Sequence, residues 1–133
     1  MAHGLRVQFV HLEVESLPNN RCRCSVELGH NGRTYVGTAE GAGLEGELRA
    51  AAQAAVDALA SVPGTDGANF KLLNVTTIEV FATPALIIAL SIHFQNDWLY
   101  LVGFSLAEKD PPQAAVRAVL NSTNRFLERL SIV

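Results

Sequence analysis

Apolar residues along the chain fall into short alternating or continuous runs, broken twice by longer stretches with helical spacing. Residues 5–16, 21–29 and 33–40 have the pattern of strands, and 44–62 has that of a helix. The order then recurs, with strands over 70–82, 85–95 and 98–107 and a helix over 111–130. Asn31-Gly32 is a two-residue hairpin signal because both positions accept positive φ, and Asn96-Asp97 takes the same place in the second half. Pro63-Gly64-Thr65-Asp66-Gly67 breaks the first helix. Asp110 before Pro111-Pro112 marks a helix start: a capping carboxylate, then prolines where no N–H bond is lost.

Both first strands change phase. Val7 and Phe9 point one way, and Val10, Leu12 and Val14 take the opposite phase. Leu73 and Val75 slip against Thr76, Ile78 and Val80 in the same manner. A β-bulge in each strand would return both sets to one face.

The halves also match residue by residue. VHLEVESLP (10–18) set over TTIEVFATP (76–84) aligns Leu12 with Ile78, Glu13 with Glu79, Val14 with Val80 and Pro18 with Pro84, an offset of 66. The same offset carries Ser25-Val26 onto Ser91-Ile92 and Val36-Gly37 onto Val102-Gly103. Two further residues bring Arg49-Ala50 over Arg117-Ala118. The expectation is an α+β fold in one domain, 1–133, duplicated as βββα-βββα with two pseudo-symmetric halves and helices packed on antiparallel sheet. Repeat one spans about 5–64 and repeat two about 69–133, joined by a linker at 63–69.

A sheet with helices on one side should be polar on the other. Strand 85–94 is not: Leu86, Ile88, Leu90, Ile92 and Phe94 fill one face, while Ile87 and Ala89 make the other apolar as well. Either the sheet closes on itself or a second copy covers that strand; with two similar halves the expectation is a homodimer built through sheet faces or edges. The helix segment AAAQAAVDA (50–58) is a second candidate interface, since Ala54 and Ala58 permit close approach.

Composition narrows the function classes. The chain has 133 residues, 49% hydrophobic and 17% charged, with a formal net charge of −3 and only Lys71 and Lys109 as lysines. That balance lacks the cationic footprint of a nucleic-acid binder. Two cysteines form no disulfide framework and fit a reducing compartment. No signal-like segment opens the chain, and the apolar run Ala85–Leu90 is too short to span a bilayer. A cytoplasmic location with no membrane partner is therefore expected.

Candidate chemistry is sparse. Gly41 and Gly43 before a helix could offer N–H groups to an anion, but Glu40, Glu45 and Glu47 crowd that terminus and repel phosphate. The stretch reads first as a structural turn and second as a small-ligand loop. Cys22 and Cys24 share a face with Val26 and Leu28 and read as core thiols, with no metal site and no cofactor motif in the chain. His3, His11, His30 and His93 do not cluster, and no hydrolase or metalloprotease motif occurs. On the last helix Arg117, Asn121, Asn124 and Glu128 form a polar stripe opposite Val116, Leu120, Thr123 and Leu127. The stripe reads as a solvated face, or as a ligand surface in which Arg49 and Arg117 make a symmetric pair. The ligand-binding candidates are Gly41, Gly43, Arg49, Asp110, Arg117 and Asn121.

The duplicated strand–strand–strand–helix order resembles the C-terminal regulatory domain of 2-isopropylmalate synthase and citramalate synthase. GTAEGAGLEGELRAAA takes the place of that family's first Gly-rich loop and helix, and Gly103 through Ala115 (GFSLAEKDPPQAA) the second. The family's loop reads G-x-G-P-V-x-A, which neither stretch carries. The resemblance implies two such units with an end-product amino acid bound near their interface. NGRTYVGTAEG followed by RAAAQAAVDAL is similar to the hairpin and helix of a double-stranded RNA-binding domain, but Glu45-Gly46-Glu47 stands where that module has lysines, which argues against RNA. The expectation is a non-catalytic, dimerising regulatory module that binds a small metabolite or a partner protein. A purely structural assembly domain is the alternative. An enzyme with an interface active site drawn from Arg49, Arg117, Asn121 and His93 comes third.

Overall fold

The computed structural model describes residues 6–63, 65, 68–107 and 110–132, with side chains through 128. Gly64, Asp66 and Gly67 of the expected linker, and His3, lie outside the described residues. The chain runs β1 (Gln8–Leu17), β2 (Arg21–His30), β3 (Arg33–Ala42), α1 (Gly43–Leu59), β4 (Ala68–Val80), β5 (Thr83–Phe94), β6 (Asp97–Leu106), α2 (Pro111–Ile132). Two separate antiparallel sheets form, ordered β1-β2-β3 and β4-β5-β6. The α+β, βββα-βββα organisation is thus the one that the apolar periodicity predicts.

The helices lie between the sheets. α1 packs on β2 and β3 and reaches β4; α2 packs on β5 and β6 and reaches β1; the helices also pack on each other. This placement explains the alanine-rich helix. Ala50, Ala51, Ala52, Ala54, Ala55, Val56, Ala58 and Leu59 are all buried, because α1 meets protein on nearly every side and larger side chains would force the layers apart. Ala54 and Ala58 use their small size within the chain: a Cβ on Gly37 would strike the Ala54 carbonyl and crowd the Ala58 nitrogen. Both alanines are fully buried, so neither offers surface to a second copy.

Each first strand carries its bulge. The first falls at Val10, between Phe9 and His11, where the phase change places it. The second falls at Leu73, between Leu72 and Asn74, earlier than the expected slip after Val75. It keeps Leu72 and Val75 in pairs with Leu90 and Ile88 on the helix side, and sends Ile78 to the opposite face, paired with Ala85.

Matching the halves by strand pairing corrects the constant offset. Val10 corresponds to Leu73, Leu12 to Val75 and Val26 to Ile88; β3 and β6, with Val36-Gly37 over Val102-Gly103, keep the offset of 66. Turn length is the reason. Leu17 pairs with Arg21 across three residues, whereas Val80 pairs with Thr83 across Phe81-Ala82 alone. The β5–β6 hairpin then runs two residues further in each arm before closing at Phe94 and Asp97. Its turn is Gln95-Asn96, at φ 52° and 67°, and not Asn96-Asp97.

The helix register shifts as well. Gly103 lies against the Ala118 carbonyl as Gly37 lies against that of Ala54. Counted from these contacts Arg117 stands at the place of Gln53, one turn after Arg49, so the two arginines are not symmetry mates. Asp110 does cap α2: its Oδ1 accepts the Gln113 N–H at 3.1 Å.

Candidate functional site

The two sheets differ on the faces turned away from the helices. In the first, Glu15, Arg23 and Glu40 sit side by side on β1, β2 and β3 through the pairs Glu15–Arg23 and Arg23–Glu40. Arg23 bridges Glu15 and Glu40 at 3.0 Å each, and Arg21 bridges Glu40 at 2.6 Å. Glu40, then Glu15, raise the Arg23 pKa above its ordinary value by hydrogen bonding and charge. A face of this kind is satisfied by itself and by water.

The second sheet presents the opposite chemistry. On β6 Trp98, Tyr100, Val102, Phe104 and Leu106 all project outward, from 42% exposed at Phe104 to 73% at Tyr100. They pair with His93, Ser91, Ala89, Ile87 and Ala85 of β5, none of which is acidic or lysine or arginine. His93 stacks on Trp98 at 4.6 Å between ring centroids. Ile87 and Ala89, the residues that the doubly apolar strand singles out, lie at the centre of this face. The larger contributors on β6 were legible as alternation in WLYLVGFSL, but nothing local says that this phase, opposite Leu101 and Gly103, is the uncovered one.

The free edge of β6 is blunted by α2. Asn121 Oδ1 accepts the Phe104 N–H at 3.3 Å, and Arg125 Nη2 donates to the Val102 carbonyl at 3.0 Å. Such capping limits unregulated strand addition along that edge.

The polar stripe of α2 divides: Arg117 and Asn121 are exposed, Glu128 is half-buried and Asn124 is buried. It ties the helix to both sheets. Asn124 accepts the Val7 N–H at 2.8 Å and donates to the Val7 carbonyl at 2.9 Å, and Glu128 pairs with Arg6 at 2.9 Å. Arg117 lies over the Phe9 ring, 5.2 Å from its centroid. Between β1 and α2 these residues wall a cleft of about 470 Å³, which includes Gln8, Arg117, Asn121, Asn124 and Arg125.

Of the sequence candidates, Arg117 and Asn121 come together here. Arg49 is exposed on α1, Asp110 is engaged as a cap, and Gly41 and Gly43 stand at the α1 N-terminus; none lines the cleft. The loop glycines have steric reasons of their own. A Cβ on Gly41 would strike the Gly46 carbonyl, and Gly43 adopts φ 73° while its N–H donates to the Asn20 carbonyl at 3.0 Å.

Cys22 and Cys24 are buried free thiols, as their shared face with Val26 and Leu28 implies. Burial, and next the neighbouring Cys22, push the Cys24 thiol up to about 12, so it stays protonated at neutral pH. Among the described residues no three His, Cys, Asp or Glu side chains group as metal ligands, and no helix is long and apolar enough to cross a membrane. No protein-family model matches the chain, and no curated protein matches it significantly.

Proposed function

We propose that the chain is a non-catalytic homodimerising module, regulatory in role, whose two copies meet through the outer face of the β4–β5–β6 sheet. The observation that carries this reading is the uncharged, aromatic face of β5 and β6 set against the ion-paired face of the first sheet. With roughly 200 Å² per aromatic side chain, the five outward β6 residues expose on the order of 500 Å² per copy. That is near the upper end for an unpartnered patch on a monomer, about 600 Å². Ile87, Ile78 and their neighbours bring it toward the ~800 Å² per partner of a standard interface. β5 and β6 put no charged side chain on this face, and Lys71 of β4, paired with Ser91, stands at its margin, so an apolar centre with a polar rim suits a twofold isologous contact.

The regulatory part of the reading draws on the resemblance to the 2-isopropylmalate synthase domain and on the cleft beside α2. Sedimentation equilibrium tests the dimer. The wild-type chain should be dimeric, Val102→Lys combined with Phe104→Glu should be monomeric with an unchanged far-UV circular dichroism spectrum, and Val36→Lys on the first sheet should stay dimeric. A wild-type monomer, or a dimer that survives the double substitution, refutes the proposal.

A further inference from the structure

We infer that the cleft between β1 and α2 is a site for one small polar organic anion, held through carboxylate or phosphate oxygens by Arg117 and Asn121. The inference is independent of how two copies pair. Arg117 is positioned by the Phe9 ring, a contact that engages its charge and none of its N–H donors. Among the described residues no group accepts a hydrogen bond from it. A guanidinium held in that way presents a planar fork that matches a carboxylate or phosphate.

Asn121 stands one helical turn further along the same face of α2. Its Oδ1 accepts the Phe104 N–H, which fixes the amide orientation and leaves the Nδ2 donors for the cleft. Asn124, by contrast, has both ends committed to Val7. Three arginines, Arg6, Arg117 and Arg125, line the cleft against one carboxylate, Glu128, in a chain whose formal net charge is −3. The local field therefore opposes that of the whole molecule and favours an anion.

Size and lining define the ligand class. A cleft of about 470 Å³ takes a small metabolite, and its apolar floor of Val7, Phe9 and Leu120 is limited because Val7 and Leu120 are themselves buried. A lipid chain would find no room to bury its tail. The pseudo-symmetric place on α1 lacks the chemistry: Gln53 stands where Arg117 does, and its Nε2 is spent on Asp57 at 2.9 Å. One site per chain follows, not two.

The test is titration of the ¹⁵N-labelled wild-type chain with citrate and, separately, inorganic phosphate, followed by NMR and calorimetry. Saturable binding of either at one equivalent per chain is expected, with shifts concentrated at Gln8, Phe9, Arg117 and Asn121. Tighter citrate binding assigns the site to carboxylates, and tighter phosphate binding to phosphorylated compounds. Arg117→Gln should weaken binding about tenfold or more, the loss of a charge-assisted pair. Asn121→Asp keeps an acceptor for the Phe104 N–H but sets a second carboxylate in the cleft, so it should abolish binding while thermal unfolding is little changed. Arg49→Gln should have no effect. The inference is overturned if neither anion saturates, if two equivalents bind, or if Arg49→Gln weakens binding as much as Arg117→Gln.

Discussion

Replacing Asn124 by alanine should lower the unfolding free energy by about 3 kcal/mol. The side chain joins elements 117 residues apart, accepting from the Val7 N–H and donating to the Val7 carbonyl. Both residues are inside, Val7 at 1% and Asn124 at 7% exposure, so water does not replace the lost partners freely. A buried donor or acceptor left unmatched costs roughly 1–3 kcal/mol. Two of them span about 2–6 kcal/mol, and water entering from the adjoining cleft places the result in the lower half of that range. At about 4 °C per kcal/mol for a chain of this size, the melting temperature should fall by roughly 12 °C. Urea denaturation followed by circular dichroism measures the free energy directly, with calorimetry as the second readout. Asn121→Ala is the comparison, because its partner Phe104 is 42% exposed, and the expected loss is under about 1 kcal/mol. A change below about 0.5 kcal/mol for Asn124→Ala, or equal losses for the two variants, would refute the claim that burial makes Asn124 the stitch between the halves.

Two further outcomes are expected. In Gly103→Ala the new Cβ would strike the Ala118 carbonyl and lie 3.1 Å from the Ser122 Cβ, so α2 must lift from β6; a loss of about 1–3 kcal/mol in calorimetry is expected, and an unchanged melting temperature would show the contact to be slack. For Cys24, the folded state holds a proton up to about 12 that the unfolded thiol releases near its ordinary value of 9.0, so this group makes stability fall as pH rises through that window. Melting temperatures measured across it should decline less steeply in Cys24→Ala than in the wild type, and parallel slopes would refute the assignment.

Much of the fold was legible because alternation and helical spacing are local properties of the chain. Six strands, two helices, the Asn31-Gly32 turn, the Asp110 cap and the bulge at Val10 all follow from neighbouring residues. The alignment of the halves did not follow, because register is set by turn geometry. Phe81-Ala82 and Gln95-Asn96 take positive φ without the glycine that would announce it, and the longer β5–β6 hairpin moves every later match. Chance identities such as Glu13 with Glu79 then outweighed the true correspondence.

The candidate site was legible only in part, and the reason is physical. Periodicity tells which side chains share a face of a strand or helix, and in this chain it set Cys22, Cys24, Val26 and Leu28 on one face of β2 and marked the polar stripe of α2. It does not tell what lies against that face. Only the packing of two sheets around a helix pair decided that alanines 54 and 58 are interior, that Asn121 caps a strand edge and that Asn124 joins the halves. The same packing left the aromatic side of β6 uncovered and brought Arg117 over Phe9, from opposite ends of the chain.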